Sequence, residues 1–494
     1  MANFKLQDFS GGQINANVTL CPTNTVSLML NMDADNEIGS ATSRLGTATT
    51  DAQMVAGVPV LGLVQHVDQA DSTKNRLFAT VDDAVSATNA DIWVCTGTPA
   101  KNLEDDTKAL KTYFLNYNGD TLRLNGTDNP KAYNSTTWLT TGGVFDLGTM
   151  LSTYPNYKYP KEFLDRVYLW GNATYPYRLA YSGILTSGTV SWASGGTVDI
   201  EPEDNGGEPT GLGKVPGYLL IFKRRSLHRW NYSSAFPEAL VNIGAYSQTS
   251  IVEGGGLCAF YSDSSEAEKG FYVTNGGRPE CISKNNNRPI KKWVDAISAT
   301  ATVAGYATES IFAWSVGDLT IDGETFSNAV LRYNRVLNQW SLRTYPVAFT
   351  CFANYVVSGV HTTVGGANDG TVYRIDKTGT YKDAKTTTTI NIPWRLRTHH
   401  LTFGENKEKV LNDKIVVRGK NLDTSRTCVY VNEDIKTPIY QNQSLWNKVL
   451  AVFGIGKKVT GNTVCVEVSG QSSGNYCYVR EIEIPVLVAN ETYV

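Results

Sequence analysis

From about residue 58 onward, apolar and polar positions run in short segments, either alternating or fully apolar, broken by Gly and Asn at intervals of about 8 to 12 residues. "PVLGLVQHV", "NRLFATV", "ADIWVCTG" and "KTYFLNYNGDTLRLNG" are the first of them. The last holds Asn118-Gly119 between two alternating runs, a pair that predicts a tight hairpin because both turn positions take positive φ. Asn275-Gly276, Asp322-Gly323 and Asp369-Gly370 repeat the signal. The pattern predicts a meander of hairpins and not a series of βαβ units.

A looser repetition lies above the hairpins. Trp138, Trp192, Trp230, Trp293 and Trp340 follow one another at 54, 38, 63 and 47 residues. Those spacings straddle the ~40–50 residues of a four-stranded propeller blade, in which one large aromatic per blade is expected as packing. The expected fold class is therefore all-β: a β-propeller of about six to eight blades over residues 58–385. It is preceded by an N-terminal arm and first strands, 1–57. From 386 to 494 the strands lengthen, predicting a separate C-terminal β-sandwich-like domain. Within it, "NQSLWNKVLAVFGIGKK" spaces Leu445, Val449 and Phe453 helically, with Trp446 and Leu450 beside them. A helix-like insertion is expected near 442–456, its apolar stripe covering either its own sheet or a subunit interface.

Composition supports strands. Of 494 residues, 18% are charged and 11% aromatic, with 44 glycines. The net charge of −3 supplies no general basic field for nucleic acid. Eight cysteines without a C-x-x-C pair predict buried thiols, with no zinc site and no disulfide scaffold. "MANFKLQDFSGGQ" lacks the apolar core of a signal peptide, and no run of 18 apolar residues occurs, so synthesis in a cytoplasm without a membrane anchor is expected.

Candidate chemistry is sparse. "NMDADNEIGSATSRLGT" brings Asp33, Asp35 and Glu37 together, but counting a calcium loop from Asp33 puts Ile38 where the bend needs Gly and Arg44 where the closing carboxylate belongs. The stretch is expected to be a strand and turn whose carboxylates cap backbone amides. "GQSSG", 470–474, fits G-x-S-x-G by letter, yet it joins two strands and no His follows it, so a hairpin turn is expected. "AVFGIGKKV" has Ala451 and Lys458 where a phosphate loop needs Gly and Ser or Thr. Five histidines include the adjacent His399 and His400, which a strand would point to opposite faces. Glu201, Glu203 and Asp204 are the nearest candidates for a pair of glycosidase carboxylates, against a plain solvated loop. Lys223, Arg224 and Arg225 form a basic tip between two strands, suited to solvent, to DNA phosphates or to an acidic neighbouring subunit.

The order "DFSGGQI", "CPTNTVSLMLNMD", "GSATSRLGT" resembles the N-terminal arm of tailed-bacteriophage β-propeller virion proteins. "FLDRVYLWGNATYPYRLAYSGI", "PTGLGKVPGYLLIFKRRSLHRWN" and "SIVEGGGLCAFYSD" with "GFYVTNGGRPECIS" resemble successive blades, so the likeness runs over residues 5 to 375. It implies a structural virion protein of the tail nozzle, tail hub or head-closure type: a hexameric ring below the portal and a head-tail adaptor, touching other tail proteins, with phage DNA passing without sequence specificity. It implies no catalytic residue and no cofactor. A tail glycosidase acting on host polysaccharide and a host-receptor-binding module are the alternatives.

Overall fold

Tight turns recurring between apolar runs make the chain double back on itself, and the result is a succession of antiparallel meanders. The structure, a computed structural model, describes residues 2–14, 24–34, 39–96, 98–201, 203, 205–234, 236–264, 267–284, 290–357, 359–401, 409–411, 415–422, 425–431, 440–443, 450–453, 459–461, 463–472 and 474–488. Strands dominate, and α-helix among the described residues is confined to Leu147–Thr153 and Lys291–Ala296.

Seven four-stranded meanders follow in order, here sheets I to VII. Sheet I runs from Val60–His66 to Ala100–Thr107, II from Tyr113–Tyr117 to Trp138–Leu139, and III from Tyr159–Phe163 to Gly196–Asp199. Sheet IV runs from Pro209–Val215 to Glu238–Val241, V from Val252–Gly254 to Glu280–Cys281, and VI from Ala304–Ala307 to Gln339–Thr344. Sheet VII takes three strands from Phe349–Val357 to Val372–Arg374, and its fourth, Ala48–Thr49, comes from near the start of the chain. The Asn118-Gly119 turn forms as expected, with φ of 47° and 88°, and Asp322-Gly323 turns sheet VI in the same way.

Each sheet is covered on both faces, which is why many strands read as continuous apolar runs. In sheet IV, Leu219 and Ile221 pack with Tyr168, Trp170 and Leu179 of sheet III, while the intervening Leu220 and Phe222 pack with Cys258, Phe260 and Tyr272 of sheet V. Equivalent apolar clusters join I to II, II to III, V to VI, VI to VII and VII back to I. First strands adjoin in the same cyclic order. The tryptophans do not recur at one position. Trp138 and Trp340 are on fourth strands, Trp230 is on a third strand and Trp293 is in a short helix, so their spacing reflects packing opportunity and not a repeat.

Beyond sheet VI the hydrogen bonding does not stop at residue 386. Leu28–Leu30 lies parallel to Gln339–Thr344 and antiparallel to Thr388–Arg397, which carries the sheet on into Val464–Ser472, Arg426–Val431 and Tyr440–Gln443. A second sheet centres on Tyr478–Val488, flanked by Ala2–Leu6, Ala41–Ser43, Ile415–Lys420 and Lys409–Leu411. The two share one core, in which Trp394, Leu396, Val466 and Val468 meet Ile415, Val417, Val479 and Ile482, with Met29 and Met32 between.

The helix expected near 442–456 is not seen where the chain is described. Tyr440–Gln443 pairs with Arg426–Val431, and Leu450–Phe453 is a strand paired with Ile415–Lys420. A short apolar run satisfies helical and strand spacing alike, and here the neighbouring strand decides. Leu445, Trp446 and Val449 lie outside the described residues, and only the backbone of Leu450 and Phe453 is described.

Candidate functional site

The stretch first read as a turn is a buried seam of charge. Arg44 is fully buried between strands Ala41–Ser43 and Ala48–Thr49, and all five of its N–H groups are used. Nε donates to Asn31 Oδ1 (2.9 Å), Nη1 to Asp383 Oδ1 (2.8 Å) and the Leu45 carbonyl (2.9 Å), and Nη2 to Asp383 Oδ2 and the Thr344 carbonyl (2.6 Å). Its guanidinium lies 4.1 Å from the centre of the Tyr345 ring. This is the planar, bidentate geometry that lysine does not supply.

Two residues on, Gly46 lies against the backbone of Lys382, where an added Cβ would meet the carbonyl oxygen at 1.9 Å. The Thr47 amide then donates to Asp383 Oδ1 at 3.2 Å. "SRLGT" is thus a lock: a fork on Asp383, a position with no room for a side chain, and an amide on the same carboxylate.

Asp33 extends the seam. It does not cap a turn amide as expected; Oδ2 accepts from Arg343 Nη2 at 2.6 Å and Oδ1 from Ser341 Oγ at 2.9 Å, with Arg332 Nη1 at 3.4 Å. Burial by itself would raise its pKa, but Arg332 and Arg343 more than offset that and hold the carboxyl down at about 2. Residues 35–38, including Asp35 and Glu37, are not described. Arg343 also binds Asp376 at 2.8 Å.

In front of the seam opens a cleft of about 610 Å³ between sheets V, VI and VII. Arg332, Asp376 and Tyr306 line it, together with Glu253, Glu309 and His361 nearer the turns. Its charges are mostly compensated from behind: Asp376 by Arg343, Arg332 by Asp33, and Glu253 by Lys161 at 2.6 Å. The Tyr306 hydroxyl is buried and has no hydrogen-bond partner among the described residues. Burial drives its pKa far up, so the phenol keeps its proton.

Turns between first and second strands, and between third and fourth, come together along one rim. Asn118 Nδ2 reaches the Gly188 carbonyl at 3.5 Å, Arg335 Nη1 the Gly255 carbonyl at 3.1 Å, and Tyr218 packs on Gly276. The same turns carry the exposed side chains Leu164, Ile184, Phe236, Val336 and Val360. At the opposite end, the links between sheets approach each other: Lys111, between I and II, extends Nζ to within 3.5 Å of Thr249 Oγ1, between IV and V.

The basic tip divides. Lys223 is buried and donates to the Glu201 carbonyl at 2.8 Å. Arg224 binds Asp263 at 2.7 Å and the Tyr246 carbonyl at 2.6 Å, stacking over that ring, and only Arg225 is exposed. Glu201 and Glu203 are exposed, with Glu201 Oε2 at 3.3 Å from buried His228 Nε2, and Asp204 is not described. Gly470 to Ser472 continue a strand and do not form a turn, because Gly470 is packed against the Trp394 indole. His399 meets Thr25 at 3.1 Å and His400 meets Thr463 at 3.4 Å. Seven described cysteines are free thiols, and no metal-binding cluster occurs among the described residues.

The arginine seam was missed in the sequence because its partners lie some 300 residues apart, and the cleft because its lining comes from three different sheets; the one legible signal was the odd triplet of Arg44, Gly46 and Thr47. No protein-family model and no curated protein matches the chain.

Proposed function

We propose that the chain is a structural, non-enzymatic virion protein, one subunit of a ring in a phage tail below the portal and adaptor. Sheets I to VII are read as the blades of a closed seven-bladed propeller. The cyclic order of their shared cores supports this, as does Ala48–Thr49 completing the last sheet from the other end of the chain.

The observation that carries the function is the stitching of residues 24–49. One segment supplies a strand to sheet VII, bridges sheet VI to the C-terminal sheets, and locks both with Arg44. Such a chain behaves as one stiff block, the property a wall needs when DNA is driven past it. The segment's motifs are also those that resemble the tail proteins.

Within this reading the conduit lies between chains and not through one propeller. Lys111, between sheets I and II, reaches Thr249, between sheets IV and V, at 3.5 Å, so these links stand together where a duplex would have to pass. Arg225 is then the member of the basic tip free to touch DNA or a neighbour. The exposed apolar turns Leu164, Phe236, Val336 and Val360 suit the contact with the next tail protein.

Mixing the purified chain with a portal-adaptor complex, followed by sizing and negative-stain imaging, tests the reading. A ring docked on the adaptor is expected. A free monomer that shortens polysaccharide would replace this reading with the glycosidase, and a monomer that binds cells would replace it with the receptor module.

A further inference from the structure

We propose that the outer face of the second C-terminal sheet binds a doubly charged phosphate group between Arg418, Lys420 and Arg480. The strand Tyr478–Val488 builds the place. Ile415–Lys420 occupies one of its edges from Tyr478 to Glu483. Ala41–Ser43, paired at Tyr478 and Val479, and Ala2–Leu6, paired from Ile482 onward, therefore share the other edge, and Arg480 and Glu481 fall between them. A cavity of about 730 Å³ opens at this junction, lined by Gln7, Arg418, Gly419, Lys420, Arg480 and Glu481 with Tyr478.

A β-bulge gathers the cations on one face. Val417 and Val479 are in the core, so the alternating Arg418 and Lys420 point away from it and are exposed. Arg418 pairs with Glu481 and Gly419 with Val479, which leaves Arg480 as the extra residue, exposed beside Glu481. Gly419 permits this bulge, because an added Cβ would collide with the Tyr478 carbonyl.

The charges at the junction do not balance. Glu481 is the one carboxylate of the lining, and both its oxygens are engaged: Arg418 Nη1 donates to Oε1 at 3.0 Å and Gln7 Nε2 to Oε2 at 2.6 Å. Lys420 Nζ lies 5.7 Å from the centre of the Tyr478 ring, and neither it nor Arg480 has a carboxylate partner among the described residues. That surplus selects the ligand. Near neutral pH a phosphate monoester or free phosphate carries about −1.5 to −2 of charge and three acceptor oxygens, which answer both leftover cations and a further N–H of Arg418. A carboxylate is satisfied by a single guanidinium fork, and a phosphodiester brings too little charge for two cations. The site lies within one chain, so its test is separate from that of the virion reading.

Phosphorus NMR on the intact chain at low ionic strength tests the proposal, with inorganic phosphate and β-glycerophosphate as probes. Both signals are expected to broaden with the wild type. Arg480→Gln and Lys420→Gln, at exposed positions, are each expected to weaken binding about tenfold, the worth of one charge-assisted hydrogen bond, with thermal unfolding unchanged. Tighter binding of β-glycerophosphate would assign the site to a phosphate ester, and tighter binding of inorganic phosphate to the free anion; either result supports the proposal. No broadening of either signal overturns it, as does equal binding by wild type and both variants. Displacement of the probe by an equal concentration of dimethyl phosphate or glutarate also overturns it, since the face would then be a general basic surface.

Discussion

Sheets I to VII and the C-terminal pair of sheets are built on opposite plans. In sheets I to VI every strand pairs with a near neighbour in sequence, and burial on both faces holds the sheet in place. In the C-terminal sheets a few local pairs, such as Arg426–Val431 with Tyr440–Gln443, are joined by distant ones. Ala2–Leu6 pairs with Tyr478–Val488, Leu28–Leu30 with Thr388–Arg397, and the assembly is held by Arg44, Asp33, Arg343 and Asp383, buried charges from three separate segments. Local meanders form from short-range contacts, whereas the distant pairing must first close loops of several hundred residues.

The largest way to break that difference is Arg44→Met. It leaves Asp383 buried without its fork, and the expected loss is about 3–5 kcal/mol, seen in denaturant unfolding as early release of the C-terminal sheets before sheets I to VII. Arg44→Met with Asp383→Leu is expected to recover part of it, because no charge is then left unpaired. A single unfolding transition with an unchanged midpoint would mean that the seam holds nothing. Against this, Leu169→Ala, in the core between sheets II and III, is expected to cost about 3 kcal/mol and to lower the transition of sheets I to VII while sparing the C-terminal one.

Acid sharpens the contrast. Burial lowers the His399 pKa from 6.5 to about 4, with His400 adding to the shift. The unfolded chain therefore binds the proton more readily, so the stabilisation is present above pH 6.5 and is lost as pH falls toward 4. Between pH 7 and pH 5 about 2 kcal/mol should go. Asp33, held at about 2 in the fold, adds a further loss below its ordinary 3.8. Thermal unfolding against pH should show the C-terminal transition falling first, and His399→Asn should flatten the upper part of that dependence. The smallest effect is expected at Arg225→Glu. Being exposed, Arg225 should change stability by less than ~0.5 kcal/mol, while weakening any salt-sensitive contact with DNA in a binding titration.

Much of the hairpin order of sheets I to VI was legible beforehand. Asn118-Gly119 and Asp322-Gly323 announced their hairpins because positive φ is a property of the residues themselves. The continuous apolar run of Leu219 to Phe222 read as a strand, and the structure shows why it is apolar throughout: it is covered on both faces. The tip at 223–225 misled because charge in a sequence reads as exposure. Lys223 and Arg224 instead extend to Glu201 and Asp263. The apolar spacing at 445–453 misled for the reverse reason, since a run that short fits either element.

By itself, the sequence determined the all-β class, the turns and the meandering order, because these follow from backbone preference and from which side chains avoid water within a few residues. Only the tertiary structure decided that strands of the N-terminal segment complete sheet VII and join the C-terminal sheets at once, and that Arg44 faces Asp383. Those arrangements are set by pairing between segments some 300 residues apart, where the energy lies in geometry that no local spacing records.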